Sequence, residues 1–395
     1  MRVVSIGTDR KIFEGGSAVL ARNIEYASKM DELHIIVFSL KKLGLKPFFV
    51  GNLHIYPTNS SSRFFYIFDA IRIGKGIIGN PDVQSGRGAD HGVGFGNSRN
   101  IVISCQDPFE TGLVGYFLRR KFGFPLQFQV HTDFLSPYFK NSFLNIIRVR
   151  IAKFLIPRAQ GLRVVSSVIK ESVQKHFPSL KIVSKVLPIF VDVEKIMSAE
   201  PTKDIMVDFP QFKFSILMAS RLTKEKRIDV ALYALKKIIG EFPQTGLIIA
   251  GEGNQRKKLE SLTKKLGINN NVVFAGWQKD LISYYKTANL FLLTSEFEGY
   301  GMTLIEAGAS GCPIVTTKVG IAKTNLFRND ENSLVCPVDD INCIFEAISG
   351  LIHDNTKREL FKREMQDSIK SMAITKEDYT ARYVALLENL IKTNG

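Results

Sequence analysis

Residues 288–315 read ANLFLLTSEFEGYGMTLIEAGASGCPIV. Four apolar residues, 290–293, are followed by a turn in which Gly299 and Gly301 flank Tyr300. A run of good helix formers comes next, and Gly311 and Pro313 stop it before the apolar run 314–317. Strand, glycine turn, helix, stop and second strand make one βαβ unit, the building block of a parallel sheet. Glu298 falls in the turn and Glu306 in the helix. A helix that starts near Met302 leaves the backbone amides of Met302 and Thr303 without internal partners, which makes a phosphate site.

The same alternation extends in both directions. Toward the N-terminus of this segment, strands are expected at residues 215–219, 247–250 and 272–275, and beyond it at 334–335. An earlier series is expected at 3–6, 34–38, 54–56, 101–104, 126–131 and 163–166. At 395 residues the chain exceeds what one hydrophobic core spans. Two doubly wound α/β domains follow, 1–190 and 214–374. The proline-punctuated stretch 191–213 is expected to link them, and a helix at 375–395 to pack back on the first. Residues 74–96, rich in glycine and without apolar periodicity, predict a mobile surface loop, with His91 solvated in it.

Composition is that of an ordinary globular chain, 45% hydrophobic and 23% charged, which excludes disordered and fibrous classes. The first segment, MRVVSIGTDRK, has too short an apolar run for a signal peptide, and no run is long enough to span a bilayer. Cys105, Cys312, Cys336 and Cys343 form no Cys-x-x-Cys pair, which predicts free thiols in a reducing cytosol. The net charge of +15 is uneven: residues 1–200 carry 27 Lys and Arg against 15 Asp and Glu, and residues 201–395 carry 26 against 23. A basic first half predicts an anionic partner on that side. No Gly-x-x-x-x-Gly-Lys-Ser/Thr and no complete Gly-x-Gly-x-x-Gly is present, so neither a P-loop nor a dinucleotide fold is indicated.

The spacing of Glu298 and Glu306, the Gly-Tyr-Gly after the first of them, and the Glu-Ala and Gly-x-Pro continuation resemble the Glu-x7-Glu signature of retaining GT-B glycosyltransferases of family four. That resemblance implies two Rossmann-like doubly wound domains facing a central cleft. It implies that Glu298 binds donor-sugar hydroxyls and stabilises charge at the anomeric carbon, with Gly299 beside it, while Glu306 holds the nucleotide ribose. A cationic, oxocarbenium-like transition state is the species a fixed carboxylate complements. MASRLTKEKRID, residues 218–229, is similar to the family's Arg-Leu-x-x-x-Lys element and implies that Arg221 and Lys226 hold the diphosphate. Arg227 stands where the family has glycine; it either enlarges the positive field or crowds the site. Gly251 and Gly253, at a strand end before a helix, mark a turn common on the nucleotide side, and FAGWQKD, residues 274–280, resembles the family strand end that borders the nucleobase, which implies that Trp277 is a lid or packing residue rather than a reader of the base.

In the first half, Gly15 and Gly16 precede a helix with Leu20, Ile24 and Ala27 on one face. By resemblance this pair lets the backbone approach donor phosphates and acceptor, although a plain loop and helix start reads equally well. His131, ending FQVH, matches a position beside the donor sugar, with Asp133 a second polar contact. Two elements depart from the family: Pro188-Ile-Phe-Val-Asp192 replaces Pro-Asn-Gly-Val-Asp, and Gly320-Ile321 replaces a double glycine.

Residues 139–158, FKNSFLNIIRVRIAKFLIPR, are apolar on opposite sides of a helix with Arg150 and Lys153 interspersed. They fit either shallow burial in an anionic membrane surface or burial between sheet and helices. FLRRKFGF, residues 117–124, repeats the pattern. The expected activity is therefore hexosyl transfer from a UDP- or GDP-sugar to a lipid, lipid-linked or saccharide acceptor. No required metal or other cofactor and no nucleic acid are expected, and the location is the cytoplasm, with a peripheral place on the inner face of the membrane. The alternatives are a GT-B-fold sugar-nucleotide epimerase and a non-enzymatic basic module that binds membrane or nucleic acid.

Overall fold

The computed structural model describes residues 1–79, 100–140, 142–180 and 182–393. The chain divides into two compact units, Met1–Pro188 with Lys376–Gly395, and Ile189–Thr375.

Unit 1 contains β1 (Arg2–Gly7), α1 (Ala18–Ser28), β2 (Glu32–Val37), β3 (Phe48–Val50), β4 (Leu53–Pro57), α2 (Tyr66–Gly79), β5 (Ile101–Cys105), α3 (Glu110–Phe122), β6 (Leu126–Val130), α4 (Phe143–Leu155), β7 (Gly161–Val164), α5 (Ser167–His176) and β8 (Val183–Val186). The sheet order is β3-β4-β2-β1-β5-β6-β7-β8. All pairs are parallel except β3 with β4. Val3, Val4 and Ile6 of β1 are buried, as are all five residues of β5 and of β6. This matches the continuous apolar runs of strands covered on both faces.

Unit 2 runs α6 (Val193–Ser198), α7 (Ile205–Asp208), β9 (Phe214–Ala219), α8 (Ile228–Glu241), β10 (Thr245–Ala250), α9 (Arg256–Leu266), β11 (Val272–Gly276), α10 (Leu281–Thr287), β12 (Leu290–Leu293), α11 (Met302–Ala309), β13 (Ile314–Thr317), β14 (Leu334–Cys336), α12 (Ile341–His353) and α13 (Asn355–Met372). Its order, β11-β10-β9-β12-β13-β14, is wholly parallel. The last helix, α14 (Lys376–Lys392), returns to unit 1. There Lys376 and Thr380 bond to Glu25, and Tyr379 accepts from Arg163 at 2.6 Å.

Strand order reverses between β1 and β5 in unit 1 and between β9 and β12 in unit 2. Ligands of open parallel sheets bind beyond the strand ends at such reversals.

Four expectations change. Residues 191–213 are not a bare link: Val193, Ile196 and Ile205 are buried in unit 2, and Thr202 bonds to Ser283 and Asp280. Asp192 caps α6, so the altered Pro-Ile-Phe-Val-Asp turn keeps its capping carboxylate. Gly74–Gly79 ends α2 rather than lying in a loop, and Gly74 is the reason α2 can approach α3, since a Cβ there would stand 2.6 Å from Leu118. The remainder of the glycine-rich stretch, His91 included, lies outside the described residues. Cys336 and Cys343 are joined by a disulfide, because the end of β14 and the first turn of α12 bring their Cα atoms to 5.8 Å. Cys105 and Cys312 are free and buried. Ile24, expected on the buried face of α1, is 39% exposed.

Candidate functional site

At the unit 2 reversal, the loops after β9 and β12 are fastened to each other. The buried Thr294 hydroxyl donates to the carbonyl oxygens of Lys226 and Arg227, at 3.0 and 2.9 Å. The Glu296 amide donates to the carbonyl of Glu225. From these loops Lys226 and Glu298 meet: Nζ lies 2.5 Å from Oε1, with the two side chains only 13% and 12% exposed. The Ser295 hydroxyl donates to the same oxygen at 2.7 Å, and Thr317 in turn holds the Ser295 carbonyl. Two charges kept from water need such exact mutual satisfaction. The pair gives a carboxylate of fixed orientation beside a cation.

Gly301 opens α11 with φ +94, and no side chain caps it. The amides of Met302 and Thr303 therefore stand at the start of a helix whose dipole favours an anion. Gly320 closes the turn from behind. Its φ is +51, and a Cβ would come within 2.7 Å of the Tyr300 carbonyl and 2.8 Å of Glu298 Cβ. Ile321, at the second place of the altered glycine pair, donates its amide to Tyr300 and buries its side chain, so the turn is held by backbone bonding and packing. Gly299 lies half-buried in the turn.

Glu306, one helical turn further on, accepts from the hydroxyl of the fully buried Tyr285 at 3.2 Å. Burial raises its pKa, and the Tyr285 bond opposes the rise. Arg221 is not drawn into the Lys226–Glu298 pair. Its side chain is 74% exposed and lies 3.5 Å from Glu225. Arg227 adopts the left-handed region, φ 45 and ψ 44. Its guanidinium is clamped by Asp229, at 3.2 Å through two nitrogens, and by Asp339. Burial pulls its pKa down, but those two carboxylates outweigh it and raise it. The clamp answers the question left by the sequence: the charge is matched by two aspartates rather than added to the field of the site.

Gly251 and Gly253 have a packing reason. A Cβ would stand 1.9 Å from the Ser220 carbonyl oxygen at the first and 2.3 Å from that of Leu222 at the second. They let the loops after β9 and β10 lie backbone against backbone. Trp277 is 68% exposed.

In unit 1, Gly15 and Gly16 precede α1, which Ser17 caps, and no atom lies within 4 Å of where their Cβ atoms would be. His131 follows β6 directly. Burial, with Arg163 and Arg22 nearby, lowers its pKa to about 3, so it is neutral at physiological pH. Asp133 is used locally, accepting from the Ser172 hydroxyl at 2.8 Å and the Leu135 amide at 3.3 Å. One carboxylate was not anticipated. Asp107 follows β5 at the strand reversal, takes the Phe109 amide at 2.8 Å, and has its pKa raised to about 6, chiefly by burial. Its signal was position alone, an acid just past a strand end and before a helix.

Two α/β units built on largely parallel sheets, the second with a part-buried carboxylate–lysine pair and an uncapped helix start at its strand reversal, have the GT-B fold. Residues 205–367 match the family model described as glycosyl transferases group 1. An uncharacterised glycosyltransferase of Methanocaldococcus jannaschii is 29% identical over 281 residues, 68% of this chain and 66% of that one. A Campylobacter jejuni N-acetylgalactosaminyltransferase, named for an acceptor carried on diphospho-undecaprenol, is 26% identical over 59% of this chain and 62% of its own. The chain thus matches less than two thirds of either relative. Among solved structures, Anabaena HepE in complex with UDP and glucose superposes with a TM-score of 0.73 at 18% identity, covering 98% of this chain and 100% of that one. At that identity the likeness establishes the fold.

Proposed function

We propose that this chain is a retaining hexosyltransferase that moves a sugar from a UDP- or GDP-sugar to a lipid, lipid-linked or saccharide acceptor. The part-buried Lys226–Glu298 pair beside the start of α11 carries the reading. As the bond from the anomeric carbon to the diphosphate breaks, the carbon gains positive charge and the leaving group negative charge. Glu298 complements the first. Lys226, the amides of Met302 and Thr303, and Arg221 swung from its exposed place complement the second, so the reaction draws on protein charge in the role a metal plays elsewhere. Glu306 holds the ribose, Trp277 borders the base, and Gly253 and Gly299 shape the donor wall. In unit 1, Gly15 and Gly16 leave room for phosphates, Asp133 holds its loop, and the neutral His131 offers a hydrogen bond to a sugar hydroxyl. The UDP and glucose bound by the Anabaena structure and the lipid-linked acceptor in the Campylobacter enzyme's name support the substrate classes. Donor hydrolysis and transfer by Glu298→Gln and Lys226→Ala are expected to fall by about two orders of magnitude or more; rates equal to wild type would sink the assignment.

The acceptor class is supported by the surface of unit 1. On α4, Val149, Ala152 and Leu155 face inward, while Phe143, Leu144, Ile147 and Phe154 are exposed, Phe143 at 78%. Helix α2 packs on α3 and α3 on α4. Their exposed Phe68 and Phe117, with the exposed Arg120 and Lys121, add apolar and basic side chains to this surface. Such a face suits the headgroup layer of an anionic bilayer. No helix among the described residues is long and apolar enough to cross a membrane. Co-sedimentation with anionic liposomes is expected for wild type and lost in Phe143→Glu/Leu144→Glu; a wild-type protein that stays in the supernatant at low salt rules this out.

A further inference from the structure

A cavity of about 750 Å³ lies within unit 2, between the start of α8 and the length of α9. Its size falls in the range of small-molecule sites, roughly 300–1,000 Å³. Leu259 and Leu262 form part of its apolar lining, and Tyr233, 42% exposed, offers an aromatic face. Lys258 and Lys265, two turns apart on one side of α9, line it together with Lys224 from the loop after β9. None of these three lysines has an ion pair among the described residues, whereas Arg227, a fourth cation in the lining, is occupied by Asp229 and Asp339. Four cations thus meet two carboxylates, Asp229 and Glu296, and one of the two is already spent on Arg227.

We propose that this cavity binds a phosphorylated small molecule and is separate from the donor site. None of Arg221, Lys226, Glu298, Glu306 or Met302 lines it. Phosphate oxygens bridge Lys258, Lys265 and Lys224, and a ring or sugar lies over Tyr233 and the leucines. The lining also includes Thr223, Arg227 and Glu296, which belong to the same two loops that carry Lys226 and Glu298. An occupant that grips Lys224 therefore restrains the loop that presents Lys226, two residues along the chain. The site is built to couple the level of a phosphorylated metabolite to the geometry of the Lys226–Glu298 pair.

Inorganic pyrophosphate is the probe, and calorimetric titration the measurement. Wild type is expected to show two sites. Lys258→Gln/Lys265→Gln, on the exposed side of a helix and with an unchanged melting temperature, is expected to lose one of them, weakened at least about tenfold. Lys226→Ala is expected to lose the other. Titration with a sugar phosphate and with a nucleoside diphosphate then shows which source of phosphate the cavity prefers. Pyrophosphate binding by the lysine double variant that equals wild type overturns the proposal. A Lys226→Ala protein that retains both sites counts instead against the donor assignment, and the two failures stay distinct.

Discussion

Replacing Lys226 by methionine keeps the bulk of the side chain and removes its charge, leaving the Glu298 carboxylate to the Ser295 hydroxyl. Both side chains are nearly out of water, at 13% and 12% exposure. Breaking such a pair from one side costs about 3–5 kcal/mol, because the remaining charge keeps its desolvation penalty without its counterion. A domain of this size loses about 2–4 °C in melting temperature per kcal/mol, so a fall on the order of 10 °C is expected. Adding Glu298→Gln removes the stranded charge, and the double variant should recover most of the loss, with a coupling of about 2 kcal/mol or more where independent sites add within ~0.5 kcal/mol. Urea denaturation of the four proteins measures it. Activity should not return with stability, since the double variant lacks both the carboxylate and the cation. Additive costs within that margin would refute the view that the two residues form one buried unit.

Arg227→Gly relieves a left-handed backbone worth roughly 1–2 kcal/mol and gives up partly exposed pairs worth about 0.2–1 kcal/mol each, so urea stability should change little; a loss above ~3 kcal/mol would show that the clamp dominates. Gly320→Ala forces a Cβ against the Tyr300 carbonyl and Glu298, and is expected to cost about 1–3 kcal/mol and to lower turnover, as measured by melting and rate. His131, ordinarily 6.5 and here lowered to about 3, favours the neutral form in the fold. Its stabilising effect is present above pH 6.5 and lost as pH falls toward 3; an imidazole NMR titration with a midpoint near 6.5 contradicts this. Asp107, raised from 3.8 to about 6, behaves oppositely: its contribution is present below pH 4 and lost as pH rises through 6. Asp107→Asn should therefore raise the melting temperature at pH 8 and not at pH 4, and a gain of equal size at both would contradict the assignment.

The parallel strands of both units were legible because strands buried on both faces are written as unbroken apolar runs, as in Val3–Val4 and Leu290–Leu293. β3 and β8 were not. The first has all three residues exposed at a sheet edge, and the second is four residues long with Lys185 within it. The turn around Glu298 could be read from its glycines and following helix formers, since those residue types answer local geometry. Its pairing with Lys226 could not, because 72 residues separate them and the resemblance gave the two different roles, one at the sugar and one at the diphosphate. Asp107 escaped notice because its chemistry depends on strand order, which places β5 beside β1 and cannot be read from residues 101–107 alone. The disulfide escaped for the same reason: a spacing of seven means nothing until a strand end and a helix start are brought side by side.

Arg163 donates to Gln129, to the carbonyls of Leu187 and Pro188 where the chain leaves unit 1, and to Tyr379 on the helix with which it returns. Unit 1 is therefore assembled from segments on both sides of unit 2, which is inserted between them. A ribosome must pass the whole of unit 2 and reach residues 383 and 390 before Tyr383 can stack on Tyr26 or Leu390 can cover Gly161. Until then the first sheet waits with an open seam, and the inserted unit can fold to completion ahead of the one that began before it.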